Sequence, residues 1–108
     1  MKKAEQAIMN QKAEKIFNAA MNELSGVNSI ISTKPLRTCN AKVIETKNFY
    51  LLKSYNTFIA AIEKRTDTLS DVLRIVYGYT ATSAQHISKF EKDYCSGKWN
   101  CAERLIAR

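Results

Sequence analysis

The chain has 108 residues and carries 17 Lys and Arg against 10 Asp and Glu, a formal charge of +7. That length fits one domain, residues 1–108, and the charge predicts a basic surface that would attract nucleic acid, anionic lipid or an acidic protein. Hydrophobic residues make up 45% of the chain and are spread along it, while Gly and Pro number only 3 and 1, so disorder and a loop-rich scaffold are both excluded. No apolar run approaches a membrane span, and Glu5, Asn10, Gln11, Lys12 and Glu14 interrupt any signal core behind Lys2 and Lys3. The expectation is a cytoplasmic protein with no secretion signal and no membrane partner.

Residues 4 to 24 read as a helix. Ile8, Met9, Ala13, Ile16, Phe17, Ala20, Met21 and Leu24 recur at three- and four-residue spacing, and Gly26 follows as a stop signal. Residues 25 to 41 show no clear period, contain Pro35 and read as a connector that carries Lys34 and Arg37. Residues 42 to 64 read as an antiparallel meander. Its strands are Val43–Thr46, Phe49–Tyr55 and Phe58–Lys64, punctuated by Lys47-Asn48 and Asn56-Thr57. Phe49 and Leu51 alternate with Tyr50 and Leu52, so both faces of the sheet centre are apolar. Either helices cover both faces, or a second copy of the chain covers one of them.

Thr68 with Asp71, and Thr82 with Gln85, resemble capping boxes that open two short helices. Leu69, Val72, Leu73 and Val76 form the stripe of the first, and Gly78 ends it. Ala84, Ile87, Phe90 and Tyr94 form the stripe of the second. Residues 95 to 108 include a break at Ser96-Gly97 and lean towards a last strand that packs Trp99 and Leu105 onto the body. The fold class expected is α+β: an N-terminal helix, a three-stranded antiparallel meander, a C-terminal helical hairpin and a possible last strand.

The segment Leu69 to Tyr94 resembles a helix-turn-helix. With Gly78 on the turn glycine of that family, Leu73, Tyr77, Tyr79, Ala84 and Ile87 take its apolar places. The resemblance implies that Thr82, Ser83, Gln85, His86 and Lys89 face DNA, with Arg74 and Lys92 on phosphates. Arg74 departs from the pattern, because the family has a small residue there. A plain helical hairpin packed on the sheet is the preferred reading of this stretch, and a DNA-binding regulator is the alternative.

The runs Leu52-Lys53-Ser54-Tyr55-Asn56-Thr57 and Val76-Tyr77-Gly78-Tyr79-Thr80-Ala81-Thr82-Ser83-Ala84-Gln85-His86-Ile87 resemble uncharacterised small proteins encoded by phages and mobile elements of gut Firmicutes. That resemblance implies an accessory protein of the host cytoplasm, a regulator or an inhibitor of host defence of the anti-CRISPR type. Such inhibitors occupy a surface and need no active site. Many are acidic DNA mimics, and a +7 chain departs from that pattern.

Cys39, Cys95 and Cys101 are odd in number, and no signal for secretion accompanies them, so reduced thiols are expected. Cys95 and Cys101 are close enough in sequence to pair under oxidation. His86 is the only histidine. A nucleophile pair would need a cysteine beside it in space, for which Cys39, Cys95 and Cys101 are candidates only by elimination, and no C-x₂-C spacing marks a zinc site, so a surface or helix-capping histidine is expected rather than a nucleophile or a metal ligand. Phe49, Phe58, Phe90 and Tyr77 are expected in the core. Tyr50, Tyr55, Tyr77, Tyr79 and Trp99, interleaved with Lys53, Arg74 and Lys98, are of a kind that stacks bases when exposed.

The functional expectation is a binding protein rather than an enzyme, without cofactor or small-molecule substrate. Its partner is a nucleic acid or a nucleoprotein complex, and a structural homodimer is the remaining alternative.

Overall fold

A computed structural model describes residues 3–26, 28–36, 40–78, 80–95 and 101–108. Expectations that involve Arg37, Cys39, Tyr79, Gly97, Lys98 and Trp99 fall outside these residues. The first helix, α1 (Lys3–Leu24), forms where the apolar stripe predicts it. Ala13 and Ala20, both fully buried, lie seven residues apart on the side that meets the sheet, where small side chains let the backbone approach closely. Met9, Ile16, Phe17, Met21 and Leu24 flank them, packed against the same face.

Six strands follow, where a three-stranded meander and a possible last strand were expected; the last strand forms, as Glu103–Ile106. They are β1 (Ile30–Pro35), β2 (Ala41–Thr46), β3 (Phe49–Ser54), β4 (Thr57–Glu63), β5 (Thr68–Asp71) and β6 (Glu103–Ile106). Their order in space is their order in sequence. Pairing is antiparallel throughout, except that β5 and β6 are parallel. A parallel pair needs a crossover. Here the crossover holds α2 (Leu73–Val76) and α3 (Ala81–Tyr94).

The three strands read from sequence are β2, β3 and β4. The meander continues past them on both sides, and the helical hairpin does not form. Thr68–Asp71, expected as the start of a helix, is a fully buried strand between β4 and β6. A four-residue strand is too short to display a period of two, and Leu69, Val72, Leu73 and Val76 imitate a helical stripe across its end. Only one turn of helix, α2, is left in that half of the expected hairpin. β1 lies in the expected connector. It forms the sheet edge, and its side chains are exposed or half-exposed on both faces, so no alternation marks it. Its ladder with β2 holds it in place, with an irregularity between Ile30 and Ser32.

α1 crosses one face of the sheet from β6 to the β2–β3 turn. Gln6 donates from Nε2 to the Ile106 carbonyl at 3.0 Å, and Ser70 donates to the Ala13 carbonyl at 2.5 Å. At the far end Thr46 Oγ1 donates to the Glu23 carboxylate. α3 covers the other face, where Ile87 and Phe90 pack with Val43, Leu52, Ala60, Ile62 and Leu69. Both apolar faces of the sheet centre are thus covered by helices of this chain, the first of the two arrangements expected. No helix among the described residues is long and apolar enough to cross a membrane.

Cys95 and Cys101 are joined by a disulfide, contrary to the expectation of reduced thiols. The bond ties the end of α3 to the residues that lead into β6. Beside it, the buried Glu91 carboxylate pairs with Arg104 Nε at 2.8 Å and accepts from the Cys101 backbone N–H at 3.3 Å.

Candidate nucleic-acid interface

α3 is capped by Thr80, whose hydroxyl accepts from the Ser83 N–H at 3.2 Å. The helix therefore starts ahead of the Thr82–Gln85 box expected from sequence. One turn is 3.6 residues, so Ser83, Ile87, Phe90 and Tyr94 fall on one side, and His86 and Glu91 border it. That side faces the sheet. Ser83 and His86 are buried, which corrects their expected place on a DNA-facing surface. The spacing of Ser83 from Ile87 and Phe90 is the signal that places Ser83 inward.

The buried polar groups satisfy one another. Ser54 Oγ lies 2.8 Å from His86 Nδ1 and 3.1 Å from Ser83 Oγ. A neutral imidazole with its proton on Nε2 accepts from Ser54, and Ser54 then accepts from Ser83. Burial lowers the pKa of His86, and the positive charge of Lys89 adds to the shift. The ring thus stays neutral near pH 7. The Ser54 hydroxyl is itself buried, which suits a packing role rather than nucleophilic attack.

Thr82, Gln85, Lys89 and Lys92 fall on the opposite side of α3. Three of the four are exposed, and Lys89 is half-exposed. They form one stripe along the helix, bordered by the exposed Asp93. Arg74 is exposed on α2. Five of the seven expected site residues are therefore on the surface, and four of those share one helix face.

Tyr55 is a residue the expected site set omits. It occupies the first position of the two-residue turn between β3 and β4, where Ser54 pairs with Thr57. Its φ is +54°, in the left-handed region that glycine adopts most easily. Its backbone N–H donates to the Asn40 carbonyl at 2.7 Å. The ring is 52% exposed, with its centroid 6.0 Å from that of His86. It therefore stands at the margin of α3, beside the stripe. The sequence signal for it was its place among interleaved aromatics and lysines.

The other aromatics divide. Phe49 and Phe90 are buried and Phe58 is half-buried, as expected of core residues. Tyr77, also expected in the core, is 57% exposed instead. α2 is a single turn at the edge of the α3 layer. It buries Leu73 and leaves Ile75, Val76 and Tyr77 in solvent. Tyr50 is occupied by internal contacts, with the Tyr94 ring 4.9 Å away and Lys64 over its face.

Residues 6–105 match a family of unknown function, DUF8033. The chain belongs to that family. No curated protein and no solved structure matches it.

Proposed function

We propose that this DUF8033 protein is a non-enzymatic binding protein that engages nucleic acid, alone or within a nucleoprotein, through the outer face of α3 and Tyr55. The observation that carries the reading is Tyr55. An exposed ring is held in a backbone conformation that costs a non-glycine residue roughly 1–2 kcal/mol. It stands next to a helix face that offers Lys89, Lys92, Gln85 and Thr82. A ring beside cations stacks an unpaired base while the cations meet phosphates. The net charge of +7 adds long-range attraction of the same sign.

The exposed apolar run Ile75-Val76-Tyr77, next to Arg74, favours a nucleoprotein over naked nucleic acid, because Tyr and Arg are typical anchors of protein interfaces. An anti-defence role of the anti-CRISPR type, in a phage or mobile element, rests on the likeness of residues 52–57 and 76–87 alone.

The test is an electrophoretic shift with single-stranded DNA, structured RNA and duplex DNA at two salt concentrations. Binding is expected to favour unpaired strands and to weaken steeply with salt. Tyr55→Gly relieves the backbone and removes the ring. It should fold at least as well and bind about 5- to 100-fold more weakly, the range for one stacked base. Lys89→Ala should lower both the affinity and the salt slope. No binding at low salt would remove nucleic acid as a direct contact and send the search to protein partners by pull-down.

A further inference from the structure

We propose that Asp67, Cys95 and Cys101 form a redox-gated site for a soft divalent cation, typified by Zn²⁺, which opens when the Cys95–Cys101 disulfide is reduced. One ligand atom from each of the three residues lies within 4.8 Å of the other two. Around a tetrahedral zinc, with bonds of about 2.3 Å to sulfur and about 2.0–2.2 Å to oxygen, neighbouring ligand atoms are separated by roughly 3.3–3.8 Å. Two of the three atoms are the bonded sulfurs of the disulfide, so the cluster reaches the size of a coordination shell only once reduction lets the sulfurs part. Two thiolates and a carboxylate make three protein ligands and leave the fourth position for water.

The three ligands come from separate parts of the fold, which hides the set from any local spacing rule. Asp67 is in the β4–β5 turn, Cys95 is the last cap of α3, and Cys101 precedes β6. Their backbones are held by contacts other than the disulfide. The Ala102 N–H donates to Asp67 Oδ2 at 2.8 Å, and the Glu103 N–H donates to the Asp67 carbonyl at 3.2 Å. Glu91 grips both cysteines: its carbonyl accepts from the Cys95 N–H at 3.1 Å, and its carboxylate accepts from the Cys101 N–H. Breaking the S–S bond therefore leaves the sulfurs facing one another and Asp67. Hydrogen bonds to a ligating residue hold it in orientation for a metal.

The chemistry balances with a small thiol as reductant. Two molecules of glutathione give two electrons and two protons to the Cys95–Cys101 disulfide and leave as glutathione disulfide. The cation then displaces the two thiol protons to solvent, because thiolates are the ligands. Glutathione disulfide runs the reaction in reverse, and the thiolates that re-form the S–S bond release the metal. In either state α3 stays fastened to β6, by sulfur–sulfur bonding or through the ion.

The full chain, reduced with a phosphine under anaerobic conditions, is titrated with Co²⁺. Charge-transfer and tetrahedral d–d absorption report thiolate ligation, and native mass spectrometry reports stoichiometry. One ion per chain is expected, displaced by Zn²⁺, and none in protein re-oxidised with glutathione disulfide. Cys39→Ser should bind unchanged. Cys101→Ser should lose at least about tenfold in affinity together with charge-transfer intensity. Asp67→Asn should lose at least about tenfold in affinity while keeping the thiolate bands. Circular dichroism checks that each variant is folded, and the reduced wild-type chain decides if one is not. Failure of that chain to take up cobalt overturns the site, as does undiminished uptake by folded Cys101→Ser.

Discussion

His86 lies under the exposed Tyr55 ring and is closed off from water by Ser54, Ser83 and the sheet. Burial first, and the Lys89 charge second, lower its pKa in the folded chain. An unfolded imidazole takes a proton near its ordinary value of about 6.5. Between that value and the folded pKa the unfolded chain binds more protons, so stability falls as the pH drops through this window. Urea midpoints measured at about pH 7.5 and about pH 5.5 should show the loss in the wild type and a smaller one in His86→Gln. Equal losses in both would assign the effect to other groups. The inward turn of Ser83 and His86 follows from α3 periodicity. The helix-turn-helix likeness obscured it, since it carries over outward positions without testing which face meets the sheet. Tyr55 stood out by residue type, but a left-handed φ at a turn is a property of the folded hairpin.

At the scale of elements, α1 is held at both ends by side chains as well as by its apolar stripe. Glu23, in its last turn, accepts from Thr46 Oγ1, from the Asn48 N–H at 2.9 Å and from Asn48 Nδ2 at 2.7 Å. Partial burial pushes its carboxyl pKa up, but these hydrogen bonds together outweigh it, and the net shift is downward. The stability this contributes is present above the ordinary carboxylate value of 4.5 and is lost as the pH falls through the lowered one. Glu23→Ala should lower stability by about 1–2 kcal/mol, the range for charged hydrogen bonds at a partly exposed site. The check is a urea midpoint at neutral pH, with Glu23→Gln expected to retain part of the loss-free behaviour through its remaining acceptor. The strands differ in how far they can be read. β3 and β4 have six and seven residues with apolar side chains on both faces, and those long apolar runs bounded by turn residues mark them plainly. β5 has four residues and β1 faces solvent on both sides, so neither carries a pattern of its own.

For the whole molecule, the first half of α1 meets the residues that follow β6. Asn10 on α1 donates to the Arg108 carbonyl at 2.9 Å and accepts from the Arg108 N–H at 3.0 Å. Leu105 on β6 packs with Ala13, Val72 and Ala107 beneath α1. Leu105→Ala should therefore cost about 2–4 kcal/mol, more than a side chain on a mere tail would. Circular dichroism and tyrosine fluorescence should still report one shared transition, since the same contact joins α1, β5 and β6. A loss below about 0.5 kcal/mol would show that β6 docks weakly.

By itself the sequence determined the elements whose apolar pattern is long enough to repeat: α1, β2 to β4 and the body of α3. It also determined the basic charge and the need to cover both faces of the sheet. Only the tertiary structure decided that β1 and β5 are strands, and that they and the last strand, towards which the sequence leaned, extend that sheet to six strands. It likewise brought Asp67 to Cys95 and Cys101, and turned Ser83 and His86 towards Ser54. The physical reason is the same in each case. A ladder partner, a ligand cluster or a buried hydroxyl is defined by residues distant in the chain, and hydrophobic periodicity records only which side of a local element meets the core.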